Sequence, residues 1–168
     1  MKIAIIGYSG SGKSTLANFL GQHYNCEVLH LDKIHFTSNW QERTVDEMTD
    51  DISKCMLQKD WIIEGNYSTC LYEERMREAD CIVYFNFNRF NCLYRAFRRY
   101  LKYKGQTRPS MAENCKEKFD FEFVKWILLD GRSKKYVEQY NAVVKNYSDK
   151  TIILKNQRQL NDYMKQVK

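Results

Sequence analysis

The sequence, 168 residues long, predicts an α/β fold in which helices flank a five-stranded parallel sheet. Short apolar runs alternate along the chain with segments of helical periodicity. These runs are continuously apolar, which is typical of parallel strands buried on both faces. A glycine-rich loop separates the first run from the first helical segment. With a single proline, seven glycines and no polar linker, we expect one domain over residues 1–168.

The five predicted strands are Lys2–Ile6, Glu27–Leu31, Trp61–Glu64, Cys81–Phe87 and Thr151–Leu154. Between them, apolar residues recur at helical spacing at about 13–23, 45–59, 90–103, 116–129, 133–147 and 160–167. Strands that alternate with helices are typical of βαβ units in a doubly wound sheet. Ligands of such sheets bind beyond the carboxyl ends of the strands, so the residues after each strand are candidates for function.

The loop after the first strand has the spacing G-x-x-x-x-G-K-S, from Gly7 to Ser14. Its glycines let the backbone curl so that amide groups point at a phosphate, and the helix N-terminus adds partial positive charge. Lys13 is expected to reach the β- and γ-phosphates of ATP, and the Ser14 hydroxyl to bind Mg²⁺. We therefore predict an ATP site at Gly7, Ser9, Gly10, Ser11, Gly12, Lys13, Ser14 and Thr15.

Polar residues also follow the second and third strands. Asp32 could accept a proton from a substrate hydroxyl or orient Mg²⁺, and the alternative is that it only caps a turn. Glu64 is placed to hold the water shell of Mg²⁺. Gly65 allows a ligand to approach the backbone, and Asn66 offers a donor and acceptors. The alternative interpretation of this segment is a turn that ends the strand.

Histidines and cysteines do not form a recognisable metal-binding pattern. His30 and His35 flank Asp32, but two histidines without a third ligand favour packing or substrate contact over a metal site. We interpret His35 as facing the substrate. The six cysteines are scattered without a C-x-x-C pair, so we expect reduced thiols, several of them in the core.

An arginine-rich segment follows the fourth strand. Within it, one helical face carries Phe90, Tyr94, Phe97 and Leu101, and another carries Arg95, Arg98, Arg99 and Lys102. In a chain that already has a phosphate-binding loop, we interpret these arginines as phosphate ligands. The Pro/Gly turn at Lys104–Ser110 predicts a mobile loop that brings Arg108, and Gly131-Arg132 brings another arginine. Residues 89–132 are therefore predicted to form a small helical lid.

The net charge of +6 fits an anionic partner, but it does not distinguish a nucleotide from nucleic acid or an acidic surface. The chain starts with a strand instead of a basic and apolar leader, and no apolar run approaches the ~20 residues that span a bilayer. We therefore expect a cytoplasmic protein without membrane contact. The oligomeric state stays open.

Together, the loop GYSGSGKST, the acid after strand two, the Glu-Gly after strand three and the R-x-x-x-R helix resemble adenylate kinase and its relatives, which have a three-layer P-loop NTPase fold. This resemblance implies that Arg95 and Arg99 clamp nucleotide phosphates, that Arg132 adds a further clamp, and that Asn156 borders the adenine. The sequence is most similar to the branch of FlaR-type "DNA topology modulation" proteins. The segments that carry this similarity are LDKIHF, WIIEGNY, YFNFNRFNCLYRAFRR and RPSMAENCKEKFD.

Two functions are compatible with these residues. The first is an ATP- and Mg²⁺-dependent phosphotransferase that acts on a nucleotide or a small hydroxylated acceptor. Its predicted catalytic residues are Lys13, Asp32, Arg95, Arg99 and Arg132, and its predicted substrate-binding residues are Asp32, His35, Gly65, Asn66 and Arg108. The second is a nucleotide-gated, DNA-associated regulator. We favour the first, because ATP alone accounts for the arginines and no separate DNA-reading motif is present. The segment after strand three lacks the family's AMP-binding Pro-Arg, which leaves AMP open as the acceptor.

Overall fold

A computed structural model describes residues 1–167. Its five strands are β1 (Lys2–Gly7), β2 (Val28–His30), β3 (Trp61–Glu64), β4 (Cys81–Phe85) and β5 (Thr151–Leu154). All pair in parallel, in the order β2-β3-β1-β4-β5. The predicted three-layer α/β fold is confirmed, and the bounds of β3 and β5 are as predicted.

Eight helices flank or cover this sheet in the described part of the chain. They are α1 (Lys13–Tyr24), α2 (Leu31–His35), α3 (Val45–Met56), α4 (Tyr72–Glu78), α5 (Arg89–Tyr103), α6 (Phe121–Leu128), α7 (Lys134–Asn146) and α8 (Gln157–Val167). The sequence did not predict α2 and α4, because five or seven residues are too few to show a helical period. The helix predicted from 116 begins only at Phe121, where the Asp120 carboxylate accepts a hydrogen bond from the Phe123 amide at 2.8 Å.

The central strand β1 brings the predicted functional segments to one edge of the sheet. Its residues 3–6 are fully or almost fully buried, as expected for a strand covered by helices on both faces. Ile5 is in register with Glu64 of β3, and Gly7 with Phe85 of β4. The carboxyl ends of these strands therefore place the glycine-rich loop beside Glu64.

The predicted lid region consists of α5, the loop 104–120, α6 and a 3₁₀ turn over Asp130–Arg132. A second, smaller apolar cluster joins this loop to the segment after β2: Met111, Ala112 and Cys115 are buried against Phe36 and Trp40. The Cys115 thiol donates to the carbonyl of Thr37 at 3.3 Å. The loop is thus folded over the segment that begins with Asp32.

The described residues 1–167 contain no helix long and apolar enough to cross a membrane. All six cysteines have free thiols. Of the apolar and basic faces predicted for α5, the apolar one is left largely exposed, and the buried side is formed by Cys92 and Ala96.

Candidate active site

The glycine-rich loop has a backbone that depends on its glycines, because Gly7, Gly10 and Gly12 all have positive φ values. Gly12 has a φ of +104° and caps α1. This φ favours glycine, and a Cβ at this position would also displace the end of the Arg95 side chain. The Ser11 hydroxyl donates to the Tyr8 carbonyl at 2.7 Å, and the Lys13 ammonium donates to the same carbonyl at 3.1 Å. Lys13 therefore folds over the loop, where a phosphate is expected to bind.

The Lys13 ammonium has a perturbed pKa. Burial lowers this pKa, and the negative charges of Glu64 and Asp32 act in the opposite direction. The Lys13 ammonium therefore lies close enough to the carboxylates of Glu64 and Asp32 to interact with both. An ammonium removed from bulk water interacts more strongly with a phosphate than an exposed one does.

The structure brings together Glu64 and Ser14, the two residues that are predicted to bind Mg²⁺. The Ser14 hydroxyl donates to Glu64 Oε2 at 3.0 Å, and the same oxygen lies 3.0 Å from His30 Nδ1. His30 Nε2 lies 2.9 Å from the side-chain oxygen of Asn18. Although burial by itself would raise it, the pKa of Glu64 is held below its ordinary value by the His30 hydrogen bond and the Lys13 charge. His30 is thus a partner of Glu64.

These two oxygen ligands suit Mg²⁺, which is usually bound through one or two protein oxygens together with substrate phosphates. In residues 1–167 no cluster of three or more histidine, cysteine or acidic side chains is placed to hold a metal ion. A hydroxyl and a carboxylate 3.0 Å apart beside a phosphate-binding loop fit a metal that arrives with a nucleotide.

Asn66 ties the segment after β3 to the glycine-rich loop. Its side-chain oxygen accepts from the Gly7 amide at 2.9 Å, and its side-chain nitrogen donates to the Gly7 carbonyl at 2.7 Å. The preceding Gly65 has a φ of +141°, and a Cβ there would lie 2.7 Å from the Leu31 Cβ. Asn66 thus joins the segment after β3 to the first residue of the glycine-rich loop. Its predicted contact with a substrate stays a prediction.

Asp32 lies in the first turn of α2, with its carboxylate held from two sides. The Tyr67 hydroxyl donates to Oδ1 at 3.1 Å, and the Arg108 guanidinium donates to Oδ2 at 3.1 Å. Burial, followed by the charge of Asp32, raises the pKa of Tyr67, so its hydroxyl stays protonated and donates. The His35 ring packs against Tyr67 with centroids 4.6 Å apart. Asp32, His35 and Arg108 are thus brought together as predicted substrate-side residues.

Two lid arginines share a buried carboxylate. Arg99 Nε donates to Glu117 Oε1 at 2.7 Å, and Arg108 Nε lies 3.6 Å from Glu117 Oε2. Burial and the neighbouring charge of Arg108 lower the pKa of Arg99. The four groups form a chain of alternating charge from Arg99 through Glu117 and Arg108 to Asp32. This chain of charges links the predicted lid region to the segment that begins with Asp32.

A third arginine lies behind this cluster. Arg75 is fully buried, and its guanidinium donates to the carbonyls of Gly65 at 3.2 Å and Tyr67 at 2.7 Å. Burial lowers its pKa to about 10, which leaves it charged at neutral pH. Arg75 therefore braces the segment that carries Asn66 and Tyr67.

On the opposite side of the glycine-rich loop, Arg95 lies between Gly12 and α8. It donates to the side-chain oxygen of Gln157 and packs over the Phe87 ring at 5.4 Å. Asn156 accepts from the Gln159 amide at 3.0 Å and so caps α8. These contacts put Arg95 and Asn156 at the same edge, where the resemblance implies an adenine.

Arg132 lies where the predicted lid region meets the rest of the protein. Its guanidinium donates to the carbonyls of Phe87 at 2.8 Å and Ile127 at 3.2 Å, and it stacks over the Tyr8 ring at 3.7 Å. These contacts join the lid to the segment after β4 and to the glycine-rich loop. The predicted catalytic role of Arg132 stays a prediction.

Several residues of the site were not predicted as functional. Tyr67 and Glu117 hold Asp32, Arg99 and Arg108, and Trp126 donates from its indole to the Ser9 hydroxyl at 3.2 Å. Tyr67 lies in a segment whose neighbours were singled out, so its position after β3 could have indicated it. Glu117 and Trp126 lie in the long lid segment, where no sequence spacing indicates which residues face the core.

No family model matches the sequence, and no curated protein matches it. The chain is similar to the solved structure of a gluconokinase from Sinorhizobium meliloti 1021, with 16% identity and a TM-score of 0.54 over 99% of this chain and 88% of that chain. It is similar to a shikimate kinase from Bacteroides thetaiotaomicron, with 17% identity and a TM-score of 0.52 over 99% of this chain and 95% of that chain. It is also similar to a deoxyadenosine kinase from M. mycoides, with 14% identity and a TM-score of 0.52 over 99% of this chain and 98% of that chain. At these identities the likeness shows the fold alone, and that fold is the one found in P-loop kinases.

Proposed function

We propose that the chain is an ATP-dependent phosphotransferase that transfers the γ-phosphoryl group of ATP to a hydroxyl group of a small acceptor. The observation that carries this proposal is the position of Asp32. Its carboxylate is held by Tyr67 and Arg108, and it lies near enough to Lys13 to influence the pKa of the ammonium. A carboxylate in this place can accept the proton of a hydroxyl that attacks a phosphate on the glycine-rich loop.

The chain's own groups supply binding, orientation and charge stabilisation. The loop amides and Lys13 hold the phosphates, and Arg99 and Arg108 lie in the lid where they can close on the transferring group. Mg²⁺ held by Ser14 and Glu64 would neutralise charge on the β- and γ-phosphates. Asp32 orients the acceptor hydroxyl and takes its proton. Closure of the lid over Asp32 excludes water, which suppresses hydrolysis of ATP.

The acceptor side favours an unphosphorylated molecule. Recognition of a nucleoside monophosphate needs arginines that are free to pair with its phosphate. We assign Arg99 and Arg108 to the transferring phosphoryl group. Outside the lid, Arg43 is engaged with Asp51 at 2.7 Å and the Ile34 carbonyl at 3.0 Å, and Arg75 is buried behind the site. We therefore propose that nucleosides, sugars and sugar acids are better acceptors than AMP. The three similar structures are named as kinases of gluconate, shikimate and deoxyadenosine, which supports this acceptor class.

The resemblance to adenylate kinase relatives supports ATP as the donor, and FlaR-type membership stays a proposal. The alternative function, a nucleotide-gated DNA regulator, would need the lid arginines on an outer surface. Arg95 instead contacts the glycine-rich loop and Gln157, and Arg99 pairs with Glu117. Two of the five cations on α5 thus face inward, toward the glycine-rich loop and Glu117, which favours the phosphotransferase.

A coupled ADP-release screen tests the proposal. It compares nucleosides, nucleoside monophosphates, sugars and sugar acids, each with and without Mg²⁺, for the wild type and Lys13→Ala. We expect Mg²⁺-dependent ADP release that requires one class of unphosphorylated acceptor and is lost in the variant. ADP release that no acceptor stimulates, or a clear preference for AMP, would contradict the proposed acceptor class.

A further inference from the structure

The outer face of α5 exposes a large apolar surface. The side chains that form it are 43–67% exposed: Phe90, Tyr94, Phe97 and Leu101. Phe121, at the start of α6, is 80% exposed, and it follows Phe119, whose ring packs against Phe97 with centroids 5.3 Å apart. These five side chains are called the α5 patch below.

The area of the α5 patch approaches that of a stable protein interface. At about 200 Å² for a large side chain, the exposed fractions leave roughly 600 Å² of apolar surface. The largest apolar patch on a typical monomer is about 300–600 Å². A standard interface buries about 800 Å² on each partner. The patch and the polar residues around it would supply most of such an area.

The spacing of the patch suits a helix as its partner. Phe90, Tyr94, Phe97 and Leu101 follow one another at four, three and four residues, which is the spacing of a seam between two packed helices. An antiparallel copy of α5 has the same seam in reverse. Tyr94 then packs against Phe97 of the second copy, and Phe90 against Leu101 of the second copy. The patch is therefore complementary to itself.

The charges around the patch also favour a second copy over nucleic acid. In the antiparallel arrangement, the exposed Arg98 lies near Asn91 of the second copy and does not face another cation. Arg89, the first residue of α5, donates to the carbonyl of Leu128, the last residue of α6, at 2.8 Å. The start of α6 therefore lies toward the end of α5. Asp120 and Glu122 thus border the patch at the end that would meet Arg89 of the second copy. The same carboxylates offset part of the attraction that the exposed Arg98 and Lys102 have for a polyanion.

We propose that the α5 patch is the interface of a homodimer with two-fold symmetry, in which the two α5 helices pack antiparallel. This inference does not depend on the proposed activity. Because the inner side of α5 carries Arg95 and Arg99, the dimer would also hold the phosphate-facing helices of both copies on one rigid unit.

Sedimentation equilibrium of the full chain at concentrations up to about 100 µM tests the proposal. We expect a dimer in the wild type. Tyr94→Asp, at the centre of the seam, should raise the dissociation constant by about a hundredfold, as loss of a central aromatic anchor does. The matched control is Leu57→Asp, because Leu57 is 87% exposed but lies outside the patch at the end of α3. This control should leave the dimer unchanged.

A second variant is designed to tighten the dimer, so its result does not depend on whether Tyr94→Asp folds. Asn91→Asp puts a carboxylate near Arg98 of the second copy. Because two-fold symmetry creates two such exposed ion pairs, the dimer should tighten by about twofold to thirtyfold. A wild type that stays monomeric, or a dimer that Tyr94→Asp leaves intact, would overturn the inference. A monomer that binds a single-stranded oligonucleotide, and loses that binding in Asn91→Asp, would instead identify the patch as a nucleic-acid surface.

Discussion

Asp32→Asn separates a catalytic carboxylate from one that only supports the structure. The Asp32 side chain is 43% exposed, and it pairs with Arg108 at 3.1 Å. An exposed ion pair is worth about 0.2–1 kcal/mol. Asparagine keeps the shape and an oxygen that can accept from Tyr67. The free energy of unfolding should therefore fall by no more than about 1 kcal/mol, which is a drop in Tm of about 2–4 °C for a chain of this size.

The effect of the same substitution on catalysis should be much larger. A positioned general base contributes about 10²–10⁴-fold to rate, so we expect kcat to fall by at least a factor of about 10². Because we propose that Asp32 acts on the acceptor and not on ATP, the affinity for ATP should change little. A coupled ADP-release assay with the preferred acceptor measures kcat, and titration calorimetry measures ATP binding.

Glu117→Gln is the matched control, since it also neutralises one carboxylate of the same arginine cluster. Glu117 is only 5% exposed on its side chain and lies between Arg99 and Arg108. Breaking a buried pair costs about 3 kcal/mol or more, so this variant should lose roughly 6–12 °C in Tm. If Asp32→Asn keeps turnover within about threefold of the wild type while its Tm falls as far as that of Glu117→Gln, Asp32 is structural and our reasoning is wrong.

Three further predictions concern the nucleotide site and the capping of α3. Lys13→Ala should lower turnover by at least about a hundredfold with an unchanged circular dichroism spectrum, and turnover within about threefold of the wild type would exclude the loop mechanism. Replacing Arg95 and Arg99 with Gln should lower turnover strongly. A flattening of the salt dependence of DNA affinity by about two units, without loss of turnover, would favour the DNA regulator. Thr44→Ala removes the hydroxyl bonds of the capping box with Glu47, whereas the amide of residue 44 still donates to the Glu47 carboxylate. This variant should lower Tm by about 2–4 °C at neutral pH. Hydrogen bonds from the Thr44 amide and then from its hydroxyl lower the pKa of Glu47, so the part of the stabilisation that the hydroxyl gives to the carboxylate is present above the unfolded pKa of Glu47 and is lost as pH falls through the folded one. A Tm difference that stays undiminished in acid would contradict this assignment.

The sequence by itself determined the sheet, the glycine-rich loop and the segments that carry the candidate site. Parallel strands are buried on both faces, so their residues are continuously apolar and recognisable as runs. The loop is recognisable because its backbone needs glycines at set positions and its lysine and serine follow directly. Asp32 and Glu64 could be predicted because the ends of parallel strands meet at one edge of the sheet.

Only the tertiary structure decided which side chains hold one another. Tyr67 and Arg108 meet at Asp32 although they are separated by 35 and 76 positions from it, and no local period records such contacts. The packing of the predicted lid region could not be predicted from local periodicity either. Its loop packs through a small apolar cluster and through Glu117, which two arginines share, instead of through a regular helix face. The sequence predicted two faces on α5, but whether each was buried or exposed depended on where α6 and the glycine-rich loop packed. Local patterns determine elements, whereas burial and pairing depend on contacts between residues far apart in the chain.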